Sequence, residues 1–235
     1  MSHMNIRQVI LLFSCLMSFC VFPAFSQERL VPVGRSSSYE YYERVDELLL
    51  ERGRNKFVFQ VRPSFGPETC LFFSDDTKEL VLREAGKNIW YAEEWYSPSK
   101  ASKKRRDPNN DIDIKEYRCP VSTRISEKLD SLFMSAVFSS SLMNDSSGLD
   151  GTTFELRTFW GRYAASCWSP KQDDSNCSRL VRVLEALCGF VKEENIDGIE
   201  GLVPEIDALT AIFTDLLPQG GKIVDRETGY VYESR

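Results

Sequence analysis

The sequence predicts an α+β domain with a mainly antiparallel sheet and helices packed on one face. Three observations carry this reading. The composition is ordinary for a folded chain of 235 residues, 42% hydrophobic and 27% charged, enough for one sizeable core. Short alternating runs between Phe57 and Ala92 follow one another at tight, turn-marked spacing, the pattern of an antiparallel meander. Apolar residues at helical spacing then recur in several longer segments, and these supply the second layer.

The elements follow in order. Ser36-Ser-Ser38 can cap a helix beginning at Tyr39, with Tyr42, Val45, Leu48 and Leu49 on one stripe and Gly53 as its stop. Phe57–Arg62 alternates as a strand with Phe57, Phe59 and Val61 inward, and Pro63 with Gly66-Pro67 makes the following turn. Thr69–Phe73, Glu79–Arg83 and Asn88–Ala92 read as three further strands, and a fifth runs around Ile114–Val121. Ser122 caps a helix carrying Ile125, Leu129, Leu132, Phe133 and Val137. Thr152–Phe159 and Gly161–Trp168 form a hairpin, and a helix occupies Ser178–Glu194. Asn195–Gly201 breaks the chain before a last helix with Pro204 in its first turn, and a short hairpin ends it around Thr228-Gly229. The organisation is thus residues 1–26 as a signal peptide and 27–235 as one α+β domain. Its core spans about 56–193, with a helix and hairpin extension over 202–235.

Arg7, the apolar run Val9–Phe22, the helix-breaking Pro23 and then Ala24-Phe25-Ser26 fit an export signal cleaved after Ser26. The expected location is periplasmic or secreted. A membrane anchor is the competing reading, but the run is short for a span of ~20 residues. Lipid attachment at Cys15 or Cys20 is a further alternative, and no later segment reaches a transmembrane length. The formal charge of −6 disfavours nucleic acid as a partner. His3 is the only histidine and lies within the signal, so Ser-His and Cys-His nucleophile pairs and histidine-ligated zinc are excluded from the mature part. No cofactor is expected.

Of the cysteines beyond the signal, Cys167 and Cys177 bracket a polar loop and are candidates for a disulfide, as are Cys70 and Cys119, each in a predicted strand. Cys188 falls on the apolar stripe of its helix and is expected to be a buried free thiol. The loop Lys100–Asp113 holds a basic run and then Asp107, Asn109, Asp111 and Asp113 at calcium-loop spacing. Ile112 stands where that loop needs glycine and Arg118 where it needs glutamate, so it reads as solvated loop. Ser97-Pro-Ser-Lys100 has the serine–lysine spacing of penicillin-recognising enzymes, but Pro98 opposes the helix they require.

The most distinctive stretch is Asp150-Gly151 through Trp168-Ser-Pro170. Asp150, Glu155, Arg157, Arg162 and Trp168 are the candidate ligand-binding residues. Glu155 and Arg157 share a strand face, where they could bind a polar ligand or pair with each other. Phe57–Arg62 with Pro63-Ser-Phe65, the mid-chain helix, Asp150-Gly151, Gly161-Arg-Tyr163 and Trp168-Ser-Pro170 resemble an uncharacterised bacterial secreted domain family, with Phe154 where tryptophan is expected. The resemblance implies a fold over about Lys56–Glu193 and no activity. The function expected is a non-enzymatic binding or interaction protein of the cell envelope, its partner an unknown protein or small polar ligand. The alternative is a carboxylate-dependent hydrolase of the periplasm using Asp150 and Glu155.

Overall fold

The computed structural model describes residues 28–33, 39–51, 53–92, 112–141, 150–170, 174–217, 222–225 and 231–233. The segment 1–26 expected to be a signal, the expected Ser36–Ser38 cap, the Ser97–Lys100 pattern, most of the stretch Lys100–Asp113 and the expected turn at Thr228-Gly229 lie outside them.

Seven strands form one antiparallel sheet. They are β1 (Val31–Pro32), β2 (Asn55–Pro63), β3 (Thr69–Ser74), β4 (Glu79–Ala85), β5 (Ile114–Pro120), β6 (Thr152–Thr158) and β7 (Tyr163–Trp168), in the spatial order β1-β7-β6-β2-β3-β4-β5. The meander β2–β5 is therefore real, and the β6–β7 hairpin docks beside β2, with Phe59 opposite Leu156 and Gln60 opposite Glu155. The edge strand β1 was not evident from sequence. It pairs Val31 with Ser166, and Pro32 is tolerated because it sits at the sheet edge. A terminal hairpin of β8 (Lys222–Val224) and β9 (Val231–Glu233) forms a separate ribbon joined to the sheet by a bridge between Tyr163 and Asp225.

Strand alternation sends Phe57, Phe59, Leu71, Phe73, Leu80, Leu82, Leu156 and Cys167 to one face. Helices α3 (Thr123–Phe138), α4 (Asn176–Lys192) and α6 (Val203–Leu216) build the layer over it. Phe57 stacks on Phe133 of α3 at 4.6 Å between ring centres. Ser122 caps α3 by accepting the N–H of Ile125, and Pro204 opens α6, both as expected from sequence.

One helix lies apart from this layer. Helix α1 (Tyr39–Leu49) lies on the opposite face, where Tyr41, Val45 and Leu49 cover Val58, Cys70, Phe72 and Val81. The reason is that the central strands are apolar on both faces, and each face must be shielded from water. Two segments also differ. Asn88–Ala92 is not a strand: α2 (Ile89–Ala92) is a helical turn, because the Asn88 side chain accepts the N–H of Tyr91 and the Glu68 carboxylate that of Ile89. The edge of β4 is taken instead by β5. Asn195 does not merely break the chain but caps α5 (Ile196–Gly201), accepting the N–H of Gly198.

The cysteines correct the disulfide expectation. Cys70, Cys119, Cys167, Cys177 and Cys188 are all free. Cys70 and Cys119 point to opposite faces of the sheet, so a bond between them would have to pass through it. Cys167 and Cys177 are both buried among the apolar side chains of the helical layer. Cys188 is half-buried at the edge of that layer, and burial pushes its thiol up to about 12. Among the described residues no helix is long and apolar enough to cross a membrane.

Candidate functional site

The strands β2 and β6 carry polar residues at alternate positions on the face beneath α1. Gln60 and Arg62 come from β2, Glu155 and Arg157 from β6, and every one is buried. Helix α1 contributes Tyr42 and Asp46, one turn apart and beside its apolar stripe. Arg157 donates from Nε to Glu155 Oε1 at 2.6 Å, from Nη1 to Asp46 Oδ2 at 2.7 Å and from Nη2 to Gln60 Oε1 at 3.0 Å. Arg62 donates to Glu155 Oε2 at 2.7 Å and to Gln60 Oε1, and its guanidinium lies over the Tyr42 ring at 4.6 Å. The Gln60 amide nitrogen completes the set by donating to Asp46 Oδ1 at 3.1 Å.

Two arginines thus meet two carboxylates, and one amide joins them. Burial opposes the charge of Arg157, but Glu155 and Asp46 outweigh it and hold its pKa above the ordinary value. Nearby, Tyr41 donates to the fully buried Glu68 at 2.7 Å, and burial with the Glu68 charge pushes the phenol upward.

The five residues singled out in the sequence go to different places. Glu155 and Arg157 are adjacent in the buried network. Asp150 is exposed in the turn before β6. Arg162 leaves the network and donates from Nε and Nη2 to Asp225, at 2.9 and 2.7 Å, tying the terminal hairpin to the sheet. Trp168 lies against Gly151 so closely that a Cβ there would come within 2.5 Å of its ring. That contact explains the glycine of the Asp-Gly turn.

Sequence reasoning missed Asp46, Gln60, Arg62 and Trp160. A signal existed for Gln60 and Arg62, the off-face positions of an otherwise apolar strand. None existed for Trp160. It occupies the β6–β7 turn with Phe159 and Gly161, at φ of 55°, 50° and 84°, and left-handed backbone at two bulky residues costs of order 1–3 kcal/mol each. Phe159 packs edge-on against Phe138 and Tyr163, both at 5.7 Å. Trp160 is left 62% exposed.

Beside the network, Trp160, Gly161, Arg157, Val58, Asn55, Gly53, Leu50 and Asp46 line an open hollow of about 200 Å³. At the other end of β2, Phe65 and Tyr91 are 70% and 50% exposed and stack in parallel, 6.4 Å apart. Asn88 fixes that end by donating to the Gly66 carbonyl at 2.6 Å. Among the described residues no group of three or more histidine, cysteine, aspartate and glutamate side chains is placed to hold a metal ion. The chain matches no protein-family model, no curated protein and no solved structure.

Proposed function

We propose that this chain is a non-enzymatic binding or interaction protein of the bacterial cell envelope. The observation that carries the reading is the set of aromatic rings held outward by fixed backbone: the Phe65–Tyr91 stack at one end of β2 and Trp160 at the other. Large rings exposed on ordered turns cost little entropy to immobilise further, and such rings dominate recognition surfaces. The envelope location rests on the export pattern of the first 26 residues.

The charged residues favour the same conclusion. A hydrolase would need Asp150 and Glu155 to face one substrate. Asp150 is exposed in a turn, whereas Glu155 lies under α1 between two arginines. The hydrogen bonds of Glu155 hold Arg62 and Arg157 in place, which is structural work.

The test is site-specific photo-crosslinking in envelope fractions, with a photoreactive residue replacing Phe65, Tyr91 or Trp160 in turn and Glu127 on the helical layer as the control. Adducts at one or more of the aromatic positions and none at Glu127 are expected. Turnover of an ester, amide or glycoside that is abolished by Glu155→Gln in a folded protein would overturn the reading.

A further inference from the structure

We infer that the hollow beside Trp160 is a site for a single ring of a neutral saccharide. This rests on the binding-protein reading and names a ligand class for one of its surfaces.

Size restricts the ligand first. A volume of about 200 Å³ lies below the ~300–1,000 Å³ of pockets for drug-sized ligands and matches a ligand of about one pyranose ring. Charge restricts it next. The floor is Arg157, already bonded to Asp46 and Glu155, with Arg62 balancing the second carboxylate. Arg62 and Arg157 together balance Asp46 and Glu155, so the lining carries no net charge to draw an ion, and a neutral ligand leaves these pairs intact.

The lining then supplies what a polyol needs. Asp46 lines the hollow and keeps 29% of its side chain exposed while accepting from Arg157 and Gln60. Arg157 Nη1 and Nη2 each carry a second hydrogen beyond their bonds to Asp46 and Gln60. Asn55, whose side-chain amide donates to the Glu51 carbonyl at 3.1 Å, also lines the hollow. A carboxylate, a guanidinium and a carboxamide on neighbouring walls suit adjacent hydroxyls, each of which donates once and accepts. Gly53 and Gly161 keep the rim low, and nothing stands within 4 Å of a Cβ built at Gly161.

Trp160 completes the site. Its indole presents a flat apolar surface of the kind that the C–H face of a pyranose covers. The left-handed turn holds it there because Phe159 faces the opposite way, against Phe138 and Tyr163. Trp160 is thus an exposed ring on a left-handed turn at the edge of a polar hollow.

The experiment titrates the folded chain by ligand-observed NMR and calorimetry. The probes are glucose, galactose, mannose and N-acetylglucosamine, each also as the terminal ring of a β-linked disaccharide, with acetate, phosphate and tetramethylammonium as charged controls. At least one neutral ring should bind in the millimolar range, as one ring in a shallow site allows. Trp160→Ala should weaken it tenfold or more, Trp160→Tyr by no more than about threefold, and Phe65→Ala not at all. Equal affinity for monosaccharide and disaccharide marks a free sugar as the source, and tighter binding of the disaccharide marks a glycan end. Either result supports the site. No sugar binding up to tens of millimolar, sugar binding indifferent to Trp160→Ala, or binding of the charged controls alone overturns it. Photo-crosslinking at Phe65 or Tyr91 that persists when the sugars fail leaves the binding-protein reading standing and removes only this site.

Discussion

Two clusters of guanidinium–carboxylate pairs occupy the same face of the sheet and differ in cover. Under α1, Asp46, Arg62, Glu155 and Arg157 are joined through Gln60, with the Arg62, Glu155 and Arg157 side chains at most 7% exposed. Across β4 and β5, Arg83 pairs with Glu116, and Arg118 pairs with Glu79, Glu116 and, beyond the end of α1, Glu51, with side chains 17–34% exposed. In both, alternation puts the charges on one face. In the first, the helix has removed the water, so each lost partner exposes a charge to a low-dielectric interior. In the second, solvent replaces any lost partner. The same guanidinium–carboxylate contact therefore differs in energetic weight between them.

Single substitutions should expose the difference. Arg157→Met leaves Glu155 and Asp46 short of a buried counter-charge and should cost about 3–5 kcal/mol by denaturant unfolding. A loss below ~1 kcal/mol would mean that water enters beneath α1 and that the two clusters are equivalent. Pairing it with Glu155→Leu removes one charge of each sign and leaves Arg62 and Asp46 as one charge of each sign, both bonded to Gln60. The double variant should recover about half of the loss or more, a coupling visible in a double-mutant cycle.

The open cluster should respond weakly. Arg118→Ala should cost less than about 1 kcal/mol, and ~1 M salt should erase most of that. Its acid response has a definite sign. Burial disfavours the Glu116 charge, but hydrogen bonds from Arg118 and Arg83 outweigh burial and hold its carboxyl below the ordinary value of 4.5. That stabilisation is complete above pH 4.5 and is lost as pH falls through the lower folded value. Glu116→Gln should accordingly flatten the acid limb of a melting-temperature profile and change little near neutrality. An unchanged acid limb would assign that limb to other carboxylates.

The smallest effect is expected on the opposite face. Thr158 Oγ1 is the one buried side-chain polar atom without a hydrogen-bond partner among the described residues. Thr158→Val keeps the shape and removes the unsatisfied hydroxyl, so it should be neutral or stabilise by up to about 1 kcal/mol. A destabilisation beyond ~1 kcal/mol would indicate that this hydroxyl is hydrated, and that the core layer admits water where the sealed cluster does not.

Local chemistry decided much that could be read directly. Alternation in Phe57–Arg62 fixed which residues face the helical layer, Ser122 and Pro204 marked helix starts, and the tight turns required antiparallel neighbours. These signals act within a few residues, through pleat geometry and capping, and distant contacts do not override them. The strand expected at Asn88–Ala92 failed because two side-chain acceptors, one of them Glu68 from more than one strand away, satisfy its N–H groups in a helical turn. The pairing of Glu155 with Arg157 followed from their spacing. Their burial did not, because it depends on where α1 lands.

The sequence by itself determined an α+β chain with an antiparallel meander, a β6–β7 hairpin and strand faces of known polarity, since the residue period of two and the turn residues are local properties. Only the tertiary structure decided that α1 crosses to the second face, bringing Asp46 to Arg157 over 111 positions of chain, that Cys70 and Cys119 look away from each other, and that Trp160 stands over a hollow. Each depends on which face of the sheet still had apolar surface to cover after the helices α3, α4 and α6 had taken the other. No window of a few residues contains that information, because shielding from water is a property of the assembled layers.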